Sequence, residues 1–181
     1  MTPGGVTVQK HERVLANMVI GSNGATSLQK DSAPLSPPAD RERFHAIRRF
    51  ATSLVVGGNT YRCEHYSNAP LPVFVATRSP ELLSQPPSTA QGESAFFNAE
   101  PIFVLQKALE KKGTVALVEG GISFINPLLA EQQIDRLFLT RSPLVGDGDY
   151  FDFELLERHY QLEKSERIDD VIFEEWIPKK S

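Results

Sequence analysis

The chain is nearly without cysteine. Cys63 is the only one, so no internal disulfide can form and no cysteine-rich zinc site can be built. A reducing, cytoplasmic compartment is the expectation. No run of about 18 apolar residues occurs, so no membrane-spanning helix is expected. Met1 to Lys10 lacks the apolar core of a secretory signal. Positive charge is not in excess: 19 Lys and Arg face 23 Asp and Glu, a net of −4, which disfavours a nucleic-acid binder. Neither G-x-G-x-x-G nor a P-loop lysine motif occurs, so the ordinary Rossmann and P-loop readings lack support. His11, His65 and His159 are scattered without metal-ligand spacing, and no metal is expected. No convincing internal repeat is present.

What remains is an ordinary globular composition, 40% hydrophobic and 23% charged over 181 residues, which reads as one domain spanning 1–181. Residues 1–11 are expected to be flexible. Three stretches are loop-like: Thr2 to Val6, Gln29 to Asp40, and Ser79 to Gly92, the last a surface loop. Between them, Arg13 to Ile20, Thr52 to Val56, Pro72 to Thr77, Thr114 to Val118 and Ile134 to Thr140 read as strands, several buried on both faces. Helices are expected from the Ser36-Pro37 cap to about Phe50, from Pro101 to Lys112, and from Gly121 to Glu131 with Pro127 inside; Asn59 to Tyr66 reads as a short fourth. Tyr150 to Leu162 and Asp169 to Ile177 read as strands joined by a charged turn, Glu163 to Ile168. Strand–helix alternation followed by a terminal hairpin implies an α/β sandwich with a mixed sheet.

Three polar bends directly follow three of these strands: Gly57-Gly58-Asn59-Thr60, Thr77-Arg78-Ser79 and Glu119-Gly120-Gly121. In an open α/β sheet, ligands bind beyond the carboxyl ends of the strands. Helix N-termini there offer free N–H groups to phosphate, and glycine lets phosphate approach the backbone. The bends therefore suit a phosphorylated nucleotide, with Arg78 placed for an extra phosphate. Taken singly, each is also plain turn chemistry, and Arg78 a solvated charge. On the helix from Pro37, Arg41, His45 and Arg48 share a stripe beside the apolar Phe44, Ile47 and Ala51. That basic stripe is either an anion site or a solvated face. Cys63 reads as a packed or idle thiol, and Trp176 as core or dimer interface.

Several segments, in order, resemble the pyrimidine reductase family of riboflavin biosynthesis. Asn17 to Ala25 is similar to its first strand and Ser-x-Asp-Gly turn. Ser36-Pro37-Pro38-Ala39-Asp40-Arg41, then His45 to Arg48, resembles its substrate-side helix. Leu54 to Thr60 with downstream Glu64, Val118 to Gly121, and the Ser-Pro-Leu loop within Leu139 to Gly148 complete the series. The resemblance implies a three-layer α/β sandwich of dihydrofolate-reductase type: a mixed, mostly parallel sheet with a C-terminal antiparallel hairpin. It implies NADPH as cofactor, a small phosphorylated substrate and a homodimer, without nucleic acid or membrane partners. Gly57, Gly58, Thr60, Gly120 and Gly121 would hold the cofactor diphosphate, and Thr77, Arg78 and Ser79 the 2′-phosphate. Asn17, Ser36, Arg41 and Arg48 would meet the substrate. Glu64 and Glu119 match acidic positions where a carboxylate could stabilise a developing iminium; Glu64 could equally be an exposed helical glutamate.

The chain departs from the pattern at Gly21-Ser22-Asn23-Gly24, where a serine and an aspartate are missing, and at Asn17, where longer members carry lysine. A zinc deaminase, which needs H-x-E and P-C-x-x-C, is excluded by the single cysteine. Two rivals stand beside the reductase: a dihydrofolate-reductase-like enzyme acting on a pterin or another imine, and a nucleotide-binding relative without catalysis. Arg41 and Arg48 in the pocket would favour a phosphorylated ligand. A buried carboxylate on the Pro37 helix, for which Asp40 is the candidate, would favour a pterin.

Overall fold

A computed structural model describes residues 5–63, 66, 69–86 and 92–180. Eight strands form one sheet in the order β4-β3-β2-β5-β1-β6-β8-β7. They are β1 (Val14–Ile20), β2 (Ser53–Gly57), β3 (Val73–Ala76), β4 (Ser94–Phe97), β5 (Ala116–Val118), β6 (Arg136–Arg141), β7 (Tyr160–Ile168) and β8 (Val171–Pro178). The first six are mutually parallel, whereas β8 runs antiparallel to both β6 and β7. The helices are α1 (Pro38–Arg48), α2 (Gly58–Cys63), α3 (Pro80–Leu83), α4 (Pro101–Leu109), α5 (Ile122–Ala130) and α6 (Phe153–His159). This is the mixed, mostly parallel α/β sandwich with a terminal hairpin.

The central strands bury both faces, which is why β1, interrupted only by Asn17, and the Leu-Val-Val centre of β2 are apolar rather than alternating. Alternate residues serve two cores. Ala16, Met18, Val55 and Val118 pack with Leu105, Ile125 and Leu128 of α4 and α5. Leu15, Leu54, Val56 and Phe138 pack with Ile47 of α1 and Leu82 of α3.

Four expectations are corrected. Residues 150–162 are not one strand: Phe153–His159 is helical, capped by the Asp152 side chain, which accepts from the Leu155 N–H at 2.9 Å. The charged stretch 163–168 is not a turn. It continues β7, and the reversal falls at Asp169, whose φ is 51°. Charge was misread as loop because β7 is an edge strand, where charged side chains protect unpaired backbone. Helix α1 starts after Pro37 rather than Ser36, and Asp40, Arg43 and Ile47 are its buried residues. Finally, Ser94–Phe97 forms an edge strand that has too few residues to declare itself by pattern, and the expected surface loop from Ser79 holds the short α3, with Leu82 buried.

Burying Arg43 requires partners. Its guanidinium lies over the rings of Phe138 and Phe173, donates to the Glu174 carbonyl at 3.2 Å and faces Glu175 Oε1 at 3.6 Å. Burial lowers its pKa from the ordinary arginine value, against the opposing pull of Glu175. Next to it, Arg136 donates to Glu12, Glu163 and Glu175, so one buried cation serves three carboxylates.

Candidate active site

β2, β3 and β5 are adjacent and parallel, so their carboxyl ends lie at one rim of the sheet. The bends that follow them open on a single cleft of about 1140 Å3. Gly57, Gly58, Thr60, Thr77, Arg78, Gly120 and Gly121 all line it, as do Asn17, Ser36, Arg41 and Glu119. A side lobe of about 340 Å3 lies between Asn59 and Arg62 of α2 and Thr77, Arg78 and Ser79.

The glycines differ in what they do. A Cβ on Gly58 would lie 2.5 Å from Thr77 Oγ1 and 2.7 Å from Thr77 Cβ, so the bare backbone lets two bends touch. Gly57 and Gly120 pack against Phe124, where an added Cβ would come within 3.5 and 3.3 Å of that side chain. Gly121 is the exception. Its φ of −67° and ψ of 173° suit any residue, and a Cβ there would meet no atom within 4 Å. It is also the N-cap of α5 and supplies no capping side chain, so the first-turn amides beside the cleft are uncapped. Among the described residues neither strain nor packing calls for glycine there, beyond its ordinary advantage over alanine as an N-cap.

Glu119 is buried, at 5% exposure, and its carboxylate is committed. Arg48 Nε donates to Oε1 at 2.7 Å, Arg48 Nη2 to Oε2 at 2.6 Å, and the Tyr66 hydroxyl to Oε2 at 2.8 Å. The two-pronged guanidinium contact is the strong form of ion pair. Arg48 also lies over the Phe44 ring, 4.4 Å from its centre. Arg48 was expected to meet substrate. In this structure its guanidinium fork faces Glu119, and Arg48 is not among the residues that line the cleft. Tyr66, which packs under the bend, was not singled out from sequence; a tyrosine after a short helix carries no signal of its own.

At the other end of the cleft lie Asn17 of β1 and Ser36, Asp40 and Arg41 at the start of α1. Arg41 is exposed, and its Nε donates to the Ser36 carbonyl at 3.3 Å. Ser36 Oγ donates to Asp40 Oδ2. Asn17 Oδ1 and Asp40 Oδ1 are buried and have no hydrogen-bond partner among the described residues. Arg78 is 89% exposed in a loose 3.6 Å pair with Glu100. Glu64 lies outside the described residues; it follows Cys63, which lines the cleft.

The unusual turn after β1 has a structural account. Asn23 Nδ2 donates to the Gly146 carbonyl at 3.0 Å, and Asn23 Oδ1 accepts from the Gly146 N–H at 3.1 Å. An aspartate could make only the second bond. Gly146 and Gly148 press against Ser27, where a Cβ would come within 2.4 and 1.8 Å. The two loops are thereby locked together, and Asp149 reaches the cleft. Thr26, Ser27, Lys30 and Asp149 were not singled out from sequence, because only this loop pairing places them at the rim.

Sheet order and rim placement define a dihydrofolate-reductase-type α/β fold. Solved structures narrow that to the fold of riboflavin-pathway reductases. A pyrimidine reductase-like protein from Corynebacterium diphtheriae matches with a TM-score of 0.65 and 20% identity, over 94% of this chain and 93% of that one. A deaminase and 5-amino-6-(5-phosphoribosylamino)uracil reductase from Thermotoga maritima matches with a TM-score of 0.70 and 17% identity, over 94% of this chain but 58% of that one. RibD of Acinetobacter baumannii matches with a TM-score of 0.66 and 13% identity, and the chain again spans 58% of it. No family model matches the chain, and no curated protein does. The protein has the fold of the pyrimidine reductases that its sequence resembles.

Proposed function

We propose that the protein is an NADPH-dependent reductase of a phosphoribosylaminopyrimidine, of the kind that reduces 5-amino-6-(5-phosphoribosylamino)uracil in riboflavin biosynthesis. One observation carries this reading. Three bends meet at one cleft, and Gly121, the N-cap of α5, leaves open space beside the helix N-terminus among the described residues. A diphosphate can approach the α5 amides through that space. The residues present fit the cofactor. Gly57, Gly58, Thr60, Gly120 and Gly121 would hold its diphosphate. Thr77, Arg78 and Ser79, at the side lobe, would hold the 2′-phosphate. Arg78 is free to turn to a phosphate because its exposed pair with Glu100 is worth little.

When bound, NADPH supplies a hydride; the protein positions, polarises and excludes water. Arg41 and Ser36 would hold the substrate phosphate, and Asn17 would lie beneath the substrate. Glu64 stays the candidate carboxylate for the positive charge that develops at the carbon receiving hydride. Glu119 serves differently from the role its position implies. Its charge is balanced by Arg48, so it acts as a positioning residue that fixes the bend before Gly120 and Gly121. The same reading makes the protein a cytoplasmic homodimer.

A second reading, a dihydrofolate-reductase-like enzyme acting on a pterin, is favoured by the buried Asp40 carboxylate on α1. The phosphorylated pyrimidine stands ahead because Arg41 lines the same end of the cleft. The test is loss of reduced-nicotinamide absorbance with the phosphoribosylaminopyrimidine as substrate. Turnover is expected. Binding of NADPH without turnover on either substrate class would favour a non-catalytic relative, and failure to bind NADPH would overturn every reading.

A further inference from the structure

One edge of the sheet is long, exposed and charged in a self-complementary order. β7 is the last strand of the sheet and nine residues long, with Gln161 to Ser165 and Arg167 exposed. An edge strand presents a row of unpaired N–H and C=O groups to any extended backbone that can reach it. Charges along it keep foreign strands away, yet those of β7 do not repel a second copy of themselves. Lys164 and Glu166 lie opposite Glu175 and Phe173 of β8, so both point to the α1 face of the sheet, where Arg43 meets those two residues. Their side chains are 46% and 41% exposed in a loose 3.5 Å pair, and Ser165 between them points to the other face. Glu163 is committed elsewhere, to Arg136, at an irregularity of the ladder between Leu162 and Lys164. Trp176, the other candidate for an interface, is buried on β8 between β6 and β7.

We propose that β7 pairs antiparallel with β7 of a second copy of this chain, about a two-fold axis through Ser165, so that two eight-stranded sheets become one continuous sheet. The axis, normal to the sheet, sets Lys164 against the partner's Glu166 and Glu166 against the partner's Lys164. Residues directly opposite in such a pair have Cβ atoms about 4.5–5.5 Å apart, so the four side chains close a ring of alternating sign. Moving the axis by one residue puts Lys164 against the partner's Lys164 in one direction, and Glu166 against the partner's Glu166 in the other. Like charges directly opposite are destabilising, so the pattern selects one register as well as permitting it. A two-fold contact uses the same patch on both copies, which is why one strand must carry its own complement. The seam is one strand wide and belongs to the small class of interfaces, so the dimer should form in a concentration-dependent way. The inference is independent of the chemistry proposed above and gives the homodimer stated there its interface.

Sedimentation equilibrium of the full chain from about 1 μM to 1 mM tests the pairing. A reversible dimer is expected. Lys164→Glu and Glu166→Lys each set like charges face to face, and each should raise the dissociation constant at least about tenfold. Two further measurements separate lost pairing from damage to the fold. Lys164→Glu combined with Glu166→Lys reverses every facing pair and should return the constant to within about threefold of the unaltered protein. An equimolar mixture of the two single variants should form a heterodimer of similar affinity, because every facing pair is again opposite in sign. A monomer throughout the range would overturn the inference and the homodimer, and leave the reductase chemistry untouched. A dimer that neither single variant weakens would place the interface elsewhere and overturn the inference alone. Weakening that neither the double variant nor the mixture reverses would also overturn it, since the two charges would then not face each other across a seam.

Discussion

Substituting Gly121 separates the needs of the fold from the needs of a ligand. Gly121→Ala places a methyl group where no atom lies within 4 Å, on backbone with φ −67° and ψ 173° that alanine adopts freely. The cost to folding is that of a weaker N-cap residue, about 0.5–1 kcal/mol. For a chain of this size that lowers Tm by about 1–4 °C. The cost to NADPH is larger. A methyl group on the cap holds a diphosphate away from the α5 amides and removes one or two charge-assisted hydrogen bonds, each worth about 1.5–3 kcal/mol. Affinity should fall by about 10- to 100-fold or more. Gly58→Ala is the contrast, since its Cβ would lie 2.5 Å from Thr77 Oγ1 and must push two bends apart. It should lose stability first. Thermal unfolding and fluorescence titration of NADPH on both variants measure the two effects. If Gly121→Ala binds NADPH as the unaltered protein does, the amides of α5 do not hold the diphosphate, and the central assignment fails.

The cofactor's second phosphate gives another test: Arg78→Ala should weaken NADPH much more than NADH in paired titrations, and equal loss for both would show Arg78 misassigned. The buried ion cluster predicts opposite outcomes for two arginines. Arg43→Met should be neutral or stabilising in urea denaturation, because Glu175 keeps Arg136 and an apolar side chain suits Phe138 and Phe173. Arg136→Met should cost about 3–5 kcal/mol, because it strands Glu12 in the interior and leaves Glu175 only its 3.6 Å contact with Arg43. Tyr160 yields a pH signature. Burial pushes its hydroxyl pKa upward from the ordinary 10.0, and that hydroxyl accepts from the Ile134 N–H at 3.2 Å. Above pH 10 the unfolded chain loses this proton while the folded one keeps it, so stability falls as pH rises. Tyr160→Phe should be less stable at neutral pH and should lack that share of the alkaline decline; an unchanged alkaline slope in urea titrations would refute the assignment.

Much of this was legible in the chain. Apart from Asn17 and Ser53, Val14–Ile20, Ser53–Gly57 and Ala116–Val118 are apolar on both faces, which points to a parallel central sheet. Glycines directly after two of these strands mark the rim, because backbone must pass there without side chains. Other elements were hidden by their surroundings. β7 is charged because it is an edge, and edge strands carry the composition of turns. β4 has four residues, too few to show a period.

Local sequence determined which segments could be strands, where they ended, and which ends carried glycine, since these depend on neighbours a few residues apart. Partnerships over long separations were decided only in three dimensions. Arg48 and Glu119 lie 71 positions apart, and Asn23 and Gly146 lie 123 apart. Nothing in an arginine's own neighbourhood tells whether it will face solvent, a phosphate or a buried glutamate. The same holds for Asp40: the sequence offered it as a candidate carboxylate, but only packing decided that it is buried at the cleft with one oxygen unanswered among the described residues. A charged group's role is set by what packing places around it, because the cost of burial and the choice of partner are properties of the assembled interior.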